Sequence, residues 1–240
     1  MKKLFSILGS TGSIGITTLN ILDKKKNSFI PFLFSANKNF KLICKQILKY
    51  KPSYFVVNDP TVFKKVKKKF KKIKSVKILN DFKLLKVKKK IDITISAIPG
   101  INGLKPTLSA INFSKKILMA NKESIICGWD IIKKNMKKNN TQIVPIDSEH
   151  FSIFKLLKNN KLNEIKKIYI TASGGPFLNY KKKQFKTIKP KNAIKHPKWK
   201  MGKKISIDSS TLVNKIFELI EAQKLFNILK KKLDILIHPE

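Results

Sequence analysis

Short apolar runs alternate along this chain with lysine-studded segments that read as helices. The runs predict strands at Leu4–Leu8, Phe29–Ser35, Tyr54–Asn58, Ile91–Ile98, Lys116–Ala120, Gln142–Ile146 and Lys167–Ala172. Helices are predicted to begin near Ser13, Phe40, Thr61, Lys105 and Glu123. Strand, helix, strand at this spacing reads as βαβ units, and so as α/β architecture with a parallel sheet.

The pattern changes after Ile146. The segment DSEH leads into a helix expected near Phe151–Leu157, and a strand then runs into TASGGPF. The polar stretch from Leu178 to Lys204 shows no clear period and contains Pro190, Pro197 and Trp199. Long irregular segments in compact domains often serve as lids. A helix is expected from about Ser209 to Leu229, followed by a strand in LDILIHP. Two domains are therefore expected, over residues 1–146 and 147–240. The last strand would leave an open edge.

Composition narrows the function classes. A hydrophobic fraction of 42% supports a real core and excludes global disorder. The 53 basic residues outnumber 14 acidic ones, for a net charge of +39. Such a balance suits a polyanion binder, but every basic residue is lysine. Arginine, with its bidentate fork for guanine and phosphate, is missing. Abundant Lys, Asn, Ile and Phe are what A+T-rich coding yields, so no nucleic-acid partner is expected. Residues 61–90 hold fourteen lysines and one acid, Asp81, which reads as a solvated face. No apolar stretch reaches membrane-spanning length, and the N-terminal run is too short for a signal sequence. Cys44 and Cys127 offer neither a disulfide framework nor metal-ligand spacing, which fits a reducing cytoplasm.

Candidate chemistry begins at ILGSTGSIG, where Gly9, Gly12 and Gly15 follow a strand and lead into a helix. Glycines permit a tight turn and close approach to a pyrophosphate, and the helix N-terminus favours an anion. A plain strand–turn–helix would share the pattern. After the second strand comes Asn37-Lys38-Asn39, with no acid for a ribose diol. A lysine and two amides there suit the 2′-phosphate of NADP, although Lys38 is also one lysine among many. Asp147 and Glu149 form D-x-E; in an extended segment both would point the same way. Asn214, Lys215 and Glu218 share a helical face, and Glu221 follows. Carboxylates without paired Cys or His suit Mg²⁺ or Mn²⁺. The same residues also fit surface carboxylates and a helix ion pair. Ser173 before Gly174 and Gly175 can offer a hydroxyl and bare N–H groups to a phosphate, which Ser209, Asn214 and Lys215 could complete. His196 lies in the lid-like stretch beside Trp199.

The ordered set GSTGSIG, LMANKES, VPIDSEH, ITASGGPF, KHPKWKMGKKISIDSS and VNKIFELIEA resembles the 1-deoxy-D-xylulose 5-phosphate reductoisomerase family through the whole chain. The resemblance implies NADPH- and divalent-metal-dependent conversion of that sugar phosphate to 2-C-methyl-D-erythritol 4-phosphate, in the non-mevalonate isoprenoid pathway. It implies that Thr11, Gly12, Ser13 and Ile14 form the pyrophosphate loop and that Lys38 and Asn39 meet the 2′-phosphate. Asn121, Glu123 and Gly202 would be further NADPH contacts, with Met201 beside Gly202. Asp147, Glu149 and Glu218 would ligate the metal. Lys122, Ser148, Glu149, Ser173, His196, Ser209, Asn214, Lys215 and Glu218 would bind substrate, with Lys122, Glu149 and His196 closest to the chemistry. Asn37 departs from the glycine common there. The implied fold is a Rossmann-like parallel sheet followed by an incomplete α+β catalytic domain. Family members continue into further strands that support a homodimer and into a C-terminal helical domain; both are expected to be missing here.

Overall fold

The computed structural model describes residues 2–25, 27–158, 160–194 and 203–238, with backbone alone for 203–205. The chain divides into two compact units, Met1–Asp147 and Ser148–Glu240.

In the first unit the described elements are β1 (Lys3–Leu8), α1 (Ser13–Lys24), β2 (Phe29–Ala36), α2 (Phe40–Tyr50), β3 (Tyr54–Val57), α3 (Pro60–Lys69), β4 (Lys77–Leu79), β5 (Ile91–Ser96), α4 (Leu104–Ile111), β6 (Ser114–Met119), α5 (Lys122–Asn139) and β7 (Gln142–Pro145). The strands form one parallel sheet in the order β4-β3-β2-β1-β5-β6-β7. Chain order reverses across β1, between β2 on one side and β5 on the other. Ligands of open α/β sheets bind at the carboxyl ends of strands flanking such a reversal.

The core explains why these runs are strands. Ile7, Leu33, Phe34, Phe55, Val56 and Val57 are fully buried. A strand covered on both faces needs an unbroken apolar run rather than alternation. The Phe34 ring meets Phe5, Tyr50 and Phe55 edge-on at 5.8–6.4 Å between centroids. Two pairs of interior hydroxyls bond to one another, Thr94 with Ser114 and Ser96 with Thr107, each at 2.7 Å. The lysine-rich 61–90 segment is more than a solvated face. Val66, Phe70 and Val76 are buried beneath its lysines, and β4 forms the sheet edge, a strand not predicted from the sequence.

The second unit contains α6 (Ser148–Leu157), β8 (Ile168–Ala172), α7 (Pro190–Ala193), α8 (Lys203–Ser210), α9 (Val213–Phe226) and β9 (Leu233–Ile237). β8 and β9 pair in parallel, Ile168 with Leu233 through Ala172 with Ile237. Ile153, Ile170, Ala222 and Ile228 form the small core that joins α6, α9 and the strands. Two expectations need correction. α6 begins at Ser148, so Glu149 sits in a helical first turn and not in an extended segment. The helix expected over Ser209–Leu229 is two helices, broken where Leu212 adopts a left-handed conformation at φ 59°. Among the described residues, no helix is long and apolar enough to cross a membrane.

Candidate functional site

In the first unit a cleft of about 850 Å³ opens at the reversal point. Gly9, Thr11, Gly12, Asn37, Ala97 and Pro99 are among its lining residues. The glycine loop is built for close approach. Gly9 has φ +86°, and a β carbon there would lie 2.9 Å from the Ala97 carbonyl oxygen. A β carbon at Gly15 would lie 2.4 Å from the Gly9 oxygen. Gly12 is the N-cap of α1, no side chain caps this end, and its first turn carries no acid. An uncapped helix start of this kind offers amide N–H groups and a dipole that favour an anion. Lys38 and Asn39 stand exposed just past β2. Asn39 also caps α2, its Oδ1 accepting the Leu42 N–H at 3.1 Å. Asn121 is buried; its Nδ2 donates to the carbonyls of Ile98 and Gly100, and its Oδ1 accepts the Ser124 N–H at the start of α5. It thereby fixes the loop between β5 and α4 that walls the cleft.

In the second unit two carboxylates from different helices meet one ammonium. Lys215 Nζ lies 2.8 Å from Glu149 Oε1 and 2.6 Å from Glu218 Oε2. Each carboxylate is held by a neighbour. The Ser148 hydroxyl donates to Glu149 Oε2 at 2.7 Å, and Asn214 Nδ2 donates to Glu218 Oε1 at 2.6 Å. Burial raises the Glu149 pKa, but the bonds from Lys215 and Ser148 and the Lys215 charge outweigh it and bring it to about 2. Burial likewise lowers that of Lys215, and its bonds to Glu149 and Glu218 more than compensate. Glu149 is thus ionised at neutral pH and faces the Lys215 ammonium, which it shares with Glu218. Behind it His150 is fully buried, its Nε2 2.9 Å from the Glu218 carbonyl oxygen and its Nδ1 3.5 Å from Glu221 Oε2. Beyond β8, Gly174 and Gly175 have φ +86° and +72°, and a β carbon on Gly175 would lie 2.9 Å from the Ser209 carbonyl oxygen. The loop after Ser173 therefore rests on the end of α8.

The family model for 1-deoxy-D-xylulose 5-phosphate reductoisomerase matches residues 5–128 of this chain. The chain belongs to that family. A model of the reductoisomerase C-terminal domain matches residues 143–226. The reductoisomerase of Pelagibacter ubique is 52% identical over 244 residues, covering 100% of this chain and 62% of the relative. That of Clostridium novyi is 45% identical over 243 residues, covering 99% and 63%. A crystal structure of DOX-P reductoisomerase in complex with NADPH, fosmidomycin and magnesium is similar at TM-score 0.88 and 33% identity, covering 99% of this chain and 61% of that one. The Zymomonas mobilis reductoisomerase in complex with NADPH gives TM-score 0.88 and 33% identity, with 100% and 62% covered. The chain spans about three fifths of the length of the curated reductoisomerases it matches.

The reductoisomerase motifs occupy defined places. Thr11 and Gly12 line the cleft, and Ser13 and Ile14 open α1 beside it. Lys122 and Glu123 begin α5, and Asp147 closes the first unit. Glu149, Asn214, Lys215 and Glu218 come together in the second unit, where Ser148 orients Glu149. His196, Trp199, Met201 and Gly202 lie outside the described residues. Sequence reasoning missed His150 and, in the first unit, Ser10, Ser35 and Gln46, all buried and polar. One signal was available: Gln46 interrupts the apolar face of α2 formed by Ile43, Cys44 and Ile47.

Proposed function

We propose that this chain carries the NADPH site and the metal and substrate ligands of a 1-deoxy-D-xylulose 5-phosphate reductoisomerase, which rearranges and reduces that sugar phosphate to 2-C-methyl-D-erythritol 4-phosphate. The observation that carries the reading is the convergence of Glu149 and Glu218 on a single cationic point, within 2.8 Å of one nitrogen. Hard carboxylate oxygens gathered around one positive charge fit Mg²⁺ or Mn²⁺, with Asp147 as the third ligand. The bare glycine loop and the uncapped α1 terminus fit a dinucleotide pyrophosphate.

When bound, the divalent ion supplies Lewis-acid polarisation and NADPH supplies the hydride. The chain's own residues bind and orient. Thr11, Gly12, Ser13 and Ile14 hold the pyrophosphate, and Lys38 and Asn39 the 2′-phosphate. Glu123 contacts the cofactor, and Asn121 supports it by fixing the cleft wall. Ser148 keeps the Glu149 carboxylate aimed, as Asn214 does that of Glu218. Ser173, Ser209, Asn214 and Lys215 grip the substrate phosphate, so that remote binding energy serves orientation. Lys122 contacts substrate, and the segment with His196 and Gly202 excludes water from the reacting carbons. The protein works in the cytoplasm, and a sedimentation measurement tests whether it pairs as a homodimer.

The test is direct. Purified chain with 1-deoxy-D-xylulose 5-phosphate, Mn²⁺ and NADPH oxidises the nicotinamide, followed by absorbance. No oxidation above background overturns catalysis by this chain alone. Glu149→Gln removes a charged ligand and should lose at least about 100-fold in metal-dependent turnover, a barrier increase of ~2.7 kcal/mol; unchanged activity would refute the ligand assignment.

A further inference from the structure

We infer that Gln46, on the second helix, is a positioning residue for the dinucleotide: it aims the glycine loop by a two-point clamp on Ser10. The inference rests on the NADPH reading proposed above. Gln46 is 4% exposed and Ser10 fully buried. Gln46 Nε2 donates to the Ser10 carbonyl at 2.8 Å, and the Ser10 hydroxyl donates to Gln46 Oε1 at 2.6 Å. The clamp thus takes both the backbone and the side chain of one loop residue.

The surrounding bonds show what the clamp controls. The Ser10 N–H donates to the Ser35 carbonyl at 2.8 Å, and the Gly9 N–H meets the Ser35 hydroxyl at 3.1 Å. These tie the start of the loop to β2. The Gly12 N–H then donates back to the Gly9 carbonyl at 3.1 Å. Thr11 and Gly12, which line the cleft, are therefore suspended between an anchored Gly9–Ser10 step and α1. Ser10 is buried between two cleft-lining residues, Gly9 and Thr11, and Gln46 grips it from the α2 side.

The placement of Gln46 adds a second consequence. It lies on α2, whose N-cap is Asn39, next to Lys38. One amide thereby links the loop for the pyrophosphate to the helix that begins at the 2′-phosphate end. A buried amide is also a costly choice for core filling, since any unmatched polar atom would carry a desolvation penalty. A methionine would fill the space without one. The amide earns its place by what it holds.

The experiment measures NADPH binding to the full chain by fluorescence titration, with hydrogen exchange at the loop amides as a second readout. Gln46→Met keeps volume and removes both bonds. It should weaken NADPH by about tenfold or more and speed exchange at Ser10–Ile16, because two buried hydrogen bonds at the loop are lost. Ile47→Val, which thins the core beneath the same helix without touching Ser10, should leave the dissociation constant within about twofold. Ser10→Ala removes the hydroxyl's bonds to Gln46 Oε1 and to the Ser35 carbonyl, keeps the bond from Gln46 Nε2, and should fall between the two. If Gln46→Met binds NADPH like the natural chain, or no more weakly than Ile47→Val, the inference is overturned and the cofactor reading stands. If the natural chain itself fails to bind NADPH, both fall. Should Gln46→Met not fold, Ser10→Ala decides: an unchanged dissociation constant and unchanged loop exchange overturn the clamp.

Discussion

Among the described glycines, Gly15 is the one whose β carbon would meet backbone most closely. Its β carbon would meet three backbone atoms of Gly9 and Ser10 at 2.4–2.7 Å, none of which can swing aside as a side chain could. Gly15→Ala should therefore shift the loop, weaken NADPH by at least about tenfold in a fluorescence titration and lower stability by a few kcal/mol (~2). Asp92 makes a different kind of prediction. Its carboxylate accepts from Lys115 Nζ at 2.8 Å and from the Leu4 N–H at 2.9 Å, and these bonds, Lys115 first, lower its pKa. A depressed folded-state pKa means stabilisation that is present above the ordinary carboxylate range and lost as pH falls through the folded value. Asp92→Asn should thus lower stability at pH 7 by about 1 kcal/mol, an amount limited by solvent screening. Urea titrations of the two proteins should converge in strong acid; a gap that persists there would contradict the account. At this scale the glycines and the Lys215–Glu218 spacing were legible in the sequence. The Glu149 partner of Lys215 was not, because it comes from another helix through tertiary packing.

Helix starts were readable because their chemistry is local. α3 opens with Asp59 as N-cap, its Oδ1 accepting the Val62 N–H at 2.9 Å, and with Pro60 in the first turn. Removing that cap by Asp59→Ala should cost about 1 kcal/mol, measured as a shift in the denaturant midpoint with unchanged slope. Strands with continuous apolar runs were equally plain, namely β1, β2, β3, β5, β6 and β7, with ends differing by a residue or two. Elements that depend on non-local partners were not. β4 is three residues long, Lys77–Leu79, and is a strand only because β3 supplies its hydrogen-bond partners. The break between α8 and α9 turns on Leu212 in a left-handed conformation, which leucine does not advertise. The helical start at Ser148 was obscured by reading D-x-E as extended. Spacing alone cannot tell two carboxylates on a strand from one placed in a helical first turn.

Across the whole molecule, 53 lysines against 14 acids make self-repulsion the dominant surface term. Local pairs such as Lys49 with Asp23 at 2.5 Å weaken in salt, but they are far fewer than the like-charge pairs that salt also screens. Raising ionic strength from about 0.01 to 0.3 M should therefore raise Tm by a few degrees (~3 °C), read by calorimetry; a fall would show that the ion pairs win. The fold class was legible at this scale because six of the seven parallel strands leave a repeated signature along the chain. The parallel pairing of β8 with β9 has a further consequence, in time rather than space. Ile168 waits for Leu233, and every residue between them must be synthesised before the pair can form. The first unit's sheet is complete in sequence by β7 and can bury its strands as soon as they clear the ribosome. At about 5–20 residues per second, β8 spends roughly 3–12 s made but unpaired, and that interval is when this chain is most open to mispairing.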